Sequence, residues 1–161
     1  MTPKFEFAKM RNKGGVSMKL EELKMAHVEE CIDLYIDTFS KEPWNDVFKS
    51  KDKVRAYYHN FLKSNQCIGY VGLIDNKIEV MSIGMIKPWI EGLEYYIDEF
   101  CVSYNSQGKG YGSQFLELVD ADIKSRGMNA IILNTSQDVP AYDFYLKNGF
   151  TVDEELRILY R

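Results

Sequence analysis

The stretch Tyr95–Gly112, reading YYIDEFCVSYNSQGKGYG, constrains the fold more than any other part of the chain. Ile97-Asp98-Glu99-Phe100-Cys101-Val102 is an apolar run carrying two acids and reads as a buried strand. A polar turn, Ser103–Ser106, follows, then Gln107-Gly108-Lys109-Gly110-Tyr111-Gly112 and an amphipathic run from Ser113. The spacing predicts a helix over Gly110–Arg126. Strand, glycine-rich turn and helix start together present free backbone N–H groups at the positive end of a helix dipole. Glycine lets that backbone approach a phosphate closely, because no Cβ stands in the way. The stretch is therefore an expected anion cradle.

The spacing excludes two common nucleotide sites. A dinucleotide fingerprint requires G-x-G-x-x-G, whereas these glycines are Gly108, Gly110 and Gly112. A Walker-type loop requires a glycine five residues before Gly-Lys and a Ser or Thr after it, and those positions hold Ser103 and Gly110.

Around this centre the chain reads as alternating elements. Met18–Leu23 is a short strand candidate. His27–Phe39 places Val28, Cys31, Ile32, Leu34, Tyr35 and Phe39 at helical spacing. Ser50 is a candidate cap for a second helix whose apolar face holds Val54, Tyr57, Tyr58, Phe61 and Leu62. Cys67–Ile74 and Lys77–Ile86 flank Asp75-Asn76, hence an antiparallel hairpin. Lys87–Glu94 reads as a loop carrying Pro88 and Trp89. Ala130–Asn134 is a strand, Pro140–Asn148 a helix closed by Gly149, and Phe150–Tyr160 further strand. The class is α/β (α+β), a mixed sandwich around a mostly antiparallel sheet. Residues 1–17, with Lys4, Lys9, Arg11, Lys13 and a Gly14-Gly15 break, read as a poorly ordered or non-native extension, leaving one domain over 18–161.

Two separated segments then resemble the GNAT superfamily of acyl-CoA-dependent N-acetyltransferases. One is Q-x-x-G-x-G, present as Gln107, Gly110 and Gly112. The other is A-x-x-F-Y-x-x-x-G-F, present as Ala141, Phe144, Tyr145, Gly149 and Phe150. The resemblance implies a sheet of six to seven strands with about four helices, its fourth and fifth strands parallel and splayed. It also implies acetyl-CoA as cosubstrate. The loop Gln107, Gly108, Lys109, Gly110, Tyr111 and Gly112 would hold the CoA diphosphate. The strand edge Phe100, Cys101 and Val102 would pair with pantetheine and supply an oxyanion donor. Asn134 and Tyr142 join the cofactor-binding set.

Amine acetylation also needs a proton acceptor for the amine and a proton donor for the departing thiolate. Tyr145 matches the family's general acid, a role suited to a phenol of pKa about 10; the alternative is a core tyrosine clustered with Tyr142 and Phe144. Asp98 and Glu99 each match a carboxylate used by some relatives, and adjacent strand residues point to opposite faces. Either acts as base or ammonium anchor, or is merely structural. Trp44, Trp89 and Glu91 are candidate acceptor contacts, because aromatic faces and carboxylates suit a cation. The "EPW" and "DEFCV" segments are weakly similar to aminoglycoside 6′-N-acetyltransferases.

The remaining features narrow the class. A net charge of −4 without a basic cluster argues against nucleic acid. No apolar run nears the ~20 residues of a membrane span. Cys31, Cys67 and Cys101 are far apart, and His27 and His59 lack partners at metal spacing, so no disulfide framework or metal site is expected, and the setting reads as cytoplasmic. The favoured function is acetyl transfer from acetyl-CoA to a primary amine of a small molecule. The alternatives are a non-catalytic acyl-CoA-binding module and a transferase acting on a peptide or protein N-terminus. A homodimer is expected by analogy with relatives.

Overall fold

Glycine turns and two-residue loops set the strand boundaries, and the sheet they define separates two apolar layers. The structure, a computed structural model, describes residues 9–11 and 15–161. The strands are β1 (Lys9–Arg11), β2 (Ser17–Glu22), β3 (Cys67–Ile74), β4 (Lys77–Trp89), β5 (Gly92–Val102) and β6 (Met128–Leu133). The helices are α1 (Val28–Phe39), α2 (Lys51–Leu62), α3 (Tyr111–Ser125) and α4 (Pro140–Lys147). All six strands form one sheet in the order β1-β2-β3-β4-β5-β6. Successive strands from β1 to β5 pair antiparallel, and β5 with β6 parallel. Thus five strands of six residues or more are joined by a three-residue edge strand. The extension expected over residues 1–17 lies largely outside the described residues, apart from β1 and the start of β2.

Helix α3 covers one face of the sheet. Its buried Gly112, Phe115, Leu116, Val119 and Ile123 recur at helical spacing and pack with Tyr70, Tyr95, Ile97 and Tyr145 of α4. On the other face α1 and α2 pack Cys31, Ile32, Val54 and Tyr58 against Val71, Met81, Ile83 and Cys101. Strands β3 and β4 are buried on both sides, which is why they read as near-continuous apolar runs. At the surface Arg55 forks onto Glu29, at 2.5 and 2.9 Å, tying α2 to α1. The hydrogen bonds from Arg55 hold the Glu29 carboxyl down at about 2.

Three expectations are corrected. Residues Lys87–Trp89 and Gly92–Glu94 are a paired continuation of the β4–β5 hairpin, with Ile90 and Glu91 as its tip. Pro88 is tolerated because it falls near the end of the strand, where one missing donor costs little. Ser50 stands at the cap of α2, but its side chain makes no capping hydrogen bond. Phe150–Tyr160 forms no strand. Its alternation is present, yet no described strand pairs with it, and Leu156, Ile158 and Tyr160 stay exposed.

A β-bulge decides what β5 presents. Ile83 of β4 pairs with Glu99 and Gly84 with Ile97, so Asp98 has no partner. Before the bulge Tyr95 and Ile97 face α3; after it Cys101 belongs to the α1/α2 layer, while Phe100 and Val102 pack on the α3 side. The extra residue reverses the alternation and places Glu99 toward α1 and α2.

Candidate active site

The parallel pairing of β5 with β6 ends at Ile97 and Leu133, the last residue of β6. Strand β5 continues on β4 to Val102. Its edge from Asp98 to Val102, roughly 13 Å at 3.3 Å per residue, is thus open on the β6 side. The notch leads from Glu99 to the glycine turn.

That turn is held from behind. The Ser103 N–H donates to the Glu79 carbonyl (2.8 Å), and the Ser106 hydroxyl to the Glu79 carboxylate (2.7 Å). Gln107 turns its side-chain amide back to the Val102 carbonyl (3.3 Å). Gly108 and Gly110 have φ of +76° and +80°, and the space where a Cβ would project is open. Gly112 is close-packed instead: a Cβ there would stand 3.0 Å from Phe144 and 3.2 Å from Val102. The first intrahelical bond of α3 runs from the Gln114 N–H to the Gly110 carbonyl. The amides of Tyr111, Gly112 and Ser113 therefore precede the ladder. No side chain caps this end and no acid stands in its first turn. These groups fit a diphosphate: converging N–H donors, a positive dipole end, unobstructed approach and Lys109 exposed beside them.

Glu99 and Tyr145 lie on opposite faces of β5. The Tyr57 hydroxyl donates to Glu99 Oε1 at 2.7 Å and the Tyr35 hydroxyl to the same oxygen at 3.5 Å. Glu99 Oε2 has no hydrogen-bond partner among the described residues, and it is not sealed from solvent. Burial pushes the Glu99 carboxyl up, against the opposing Tyr57 hydrogen bond. Asp98, exposed at the bulge, is also raised by desolvation, with Lys87 opposing. Tyr145 is buried against Phe100, Phe144 and Phe150. Its position follows from the end of α4. Gly149, at φ +85°, lets its own N–H reach the Leu146 carbonyl and that of Phe150 the Tyr145 carbonyl, a Schellman closure. The Tyr145 hydroxyl has no hydrogen-bond partner among the described residues and retains solvent access. Burial, with smaller contributions from Glu99 and Cys101, drives its pKa well above the usual phenol value, so it keeps its proton at neutral pH.

Trp44 joins the Glu99 side through a continuous aromatic wall, its ring 5.1 Å from Phe39, itself 4.7 Å from Tyr35. Trp89 and Glu91 do not reach the notch. They sit at the hairpin tip beside Asn129, seven residues or roughly 23 Å back along β5 from Glu99. The loop expected to place them is in fact the end of a hairpin, with Trp89 on β4 and Glu91 in its tip. Asn134, just past β6, donates through Nδ2 to the Tyr96 hydroxyl. With Tyr142 and Tyr145 it borders a groove of about 1100 Å³ between β6, α3, α4 and the chain end. This groove includes neither the glycine turn nor the open edge of β5. Cys101 is core filling, its thiol 3.9 Å from the Leu34 carbonyl and raised by burial. Tyr35 and Tyr57 were legible only as members of apolar helix faces; nothing local marks their link to a carboxylate 64 and 42 residues away.

The sequence model of the acetyltransferase (GNAT) family matches residues 25–150. The chain belongs to that family. No curated protein matches it significantly in sequence. Solved structures similar to this GNAT chain include an aminoglycoside acetyltransferase from an uncultured soil metagenomic sample, in complex with sisomicin. It is 20% identical, with a TM-score of 0.70, over 89% of this chain and 95% of that one. Aminoglycoside N-acetyltransferase AAC(6')-Iy in complex with CoA is 16% identical, with a TM-score of 0.70, over 91% and 95%. A GNAT family acetyltransferase of Staphylococcus aureus is 14% identical, with a TM-score of 0.69, over 89% and 98%. At these identities the likeness establishes the GNAT fold, including the parallel pair expected of strands four and five, here β5 and β6.

Proposed function

We propose that this GNAT acetyltransferase moves the acetyl group of acetyl-CoA onto a primary amine of a small cationic molecule. The observation that carries the reading is the solvent-reached, unpartnered Oε2 of Glu99 beside an open strand edge that runs to an anion cradle. Acetyl-CoA supplies an activated acyl thioester. The turn Gln107–Gly112 holds the diphosphate through backbone amides, and the edge Phe100–Val102 takes the pantetheine amides, whereas Asn134 and Tyr142, read from the sequence as further cofactor contacts, line the separate groove beside β6. Glu99 accepts the amine proton as the nitrogen–carbon bond forms. Tyr145 gives its proton to sulfur as the carbon–sulfur bond breaks. Between the two acids, Glu99 is favoured because the bulge turns it toward the aromatic wall, whereas Asp98 stands exposed at the bulge. Trp44 contributes to the acceptor wall. Trp89 and Glu91 have no part in it.

The relatives crystallised with sisomicin and with a CoA–neamine bisubstrate analogue make aminoglycosides the first class to try. Thiol release from acetyl-CoA, measured across a panel of aminoglycosides, polyamines and peptide N-termini, tests the reading. Turnover confined to small polycations supports it. CoA binding without turnover on any amine, or turnover on peptides alone, refutes it.

We further propose a homodimer. The chain end beyond α4 leaves Leu156 and Ile158 exposed beside β6, which has no strand on its outer edge among the described residues. Light scattering showing a monomer at micromolar concentration would refute this. The three cysteines, all free, support a reducing, cytoplasmic setting for a single domain, read from the sequence as residues 18–161 and joined at the edge of its sheet by β1.

A further inference from the structure

Two phenols converge on one oxygen of Glu99 from two different helices, and that convergence has a chemical use. Tyr57 lies on α2 and is partly exposed, so water could satisfy its hydroxyl; instead it reaches 2.7 Å to Oε1. Tyr35 approaches the same oxygen from α1 at the long limit of a hydrogen bond, 3.5 Å. Neighbouring rings orient both side chains. Tyr57 meets Tyr58 and Phe61 edge-on, at 5.8 and 5.0 Å, and Tyr35 packs on Phe39 and Phe48, at 4.7 and 5.6 Å. The Arg55–Glu29 fork and the Lys51–Asp33 pair fix α2 on α1, so the two donors are held as one unit. A carboxylate bound at one oxygen cannot turn freely about its terminal torsion, and the other oxygen is left aimed.

We propose that Tyr35 and Tyr57 are positioning residues for Glu99: their hydroxyls hold Oε1 so that Oε2 is the oxygen presented to the acceptor amine. The inference rests on the reading of Glu99 as the group that meets that amine. Tyr57 carries most of the effect, by its shorter bond. Other titratable groups surround the carboxylate. Asp46, from the segment between α1 and α2, and Asp98, on β5, oppose its charge. Tyr58 of α2, Cys101 of β5 and Tyr145 of α4 also feel it, and burial keeps each of them protonated at neutral pH. The two phenols are therefore the groups that favour the ionised form, and removing one moves the carboxyl upward.

The test uses the full chain labelled with ¹³C at glutamate side-chain carboxyls, titrated by NMR, with Glu99→Gln identifying the signal. Tyr57→Phe should raise the Glu99 midpoint by about one pH unit, the size expected for one hydrogen bond to a charged group. Tyr35→Phe should shift it less, in the same direction. The acid limb of kcat/KM, measured with acetyl-CoA and sisomicin, should move with the midpoint, so that below it Tyr57→Phe loses about tenfold and regains it at higher pH. Both variants keep the ring and its packing. An unmoved midpoint in Tyr57→Phe, with Glu99→Gln inactive, overturns this proposal alone. Wild-type turnover in Glu99→Gln overturns the reading beneath it as well.

Discussion

Replacing Gly84 by alanine should damage the site from across the sheet, by attacking the bulge that aims Glu99. Gly84 pairs with Ile97 where β4 and β5 change register. A Cβ at this position would collide with the Tyr96 carbonyl oxygen and stand 2.9 Å from its carbon and 3.0 Å from Ile97 Cα. All three are backbone atoms, so no rotamer change relieves the clash. The strands must separate or the bulge must relax. Overpacking of this kind costs about 1–3 kcal/mol, and one lost ladder hydrogen bond about 1 kcal/mol more. For a domain of this size, about 2–4 °C per kcal/mol turns a total of about 2–4 kcal/mol into a Tm lower by roughly 4–16 °C. Turnover should fall by more than about tenfold, because a relaxed bulge carries Glu99 off the α1/α2 face, and if Glu99 is the proposed general base its displacement forfeits a contribution of about 10²–10⁴. Differential scanning calorimetry and thiol-release kinetics on the same preparation read both effects. Gly72→Ala is the control: its new Cβ meets Met18 Sδ (2.8 Å) and the Phe115 ring (2.8 Å), buried side chains on the α3 side of the sheet, so a Tm loss with turnover retained is expected. A Gly84→Ala protein with wild-type Tm and turnover would refute the argument from the bulge.

Tyr145→Phe should lower kcat by about 10²–10⁴ while leaving Tm nearly unchanged, since its hydroxyl has no protein partner to lose among the described residues; stopped-flow thiol release and a thermal melt check the pair. Glu99→Gln should abolish most turnover yet raise Tm at neutral pH. The sign follows from a folded-state pKa above the ordinary 4.5: ionising Glu99 costs stability, a cost absent below 4.5 and incurred as pH rises through the raised value. Melts of both proteins should accordingly converge in acid and diverge toward neutrality. Gly110→Ala, at φ +80°, should cost about 1–2 kcal/mol of backbone strain and weaken CoA in isothermal titration, whereas unchanged affinity would count against the cradle.

Much of the fold was legible because its signals are local. The period of α3, the Asp75-Asn76 turn and the Gly149 closure of α4 each depend on a few neighbouring residues. The strand expected over Phe150–Tyr160 failed for the complementary reason. Alternation shows that a segment is compatible with a sheet, but a strand exists only if an edge accepts it, and no described edge does. Trp89 failed similarly: Pro88 and the polar residues near it suggested a loop, and the pairing of Pro88 with Leu93 overrode them.

The amino-acid sequence by itself determined the glycine turn proposed as an anion cradle, because positive φ at Gly108 and Gly110 and an uncapped helix start are demands a short segment meets alone. It also determined that two adjacent acids lie beside that cradle. Which of them faces the α1/α2 layer, and what holds it there, only the tertiary structure decided. The choice depends on the register between β4 and β5 at Gly84, which inserts Asp98 as the unpaired residue and reverses the faces after it. It depends as well on two phenols brought to Glu99 by the packing of α1 and α2 on the sheet. Both are relations between distant segments, and no local pattern encodes them.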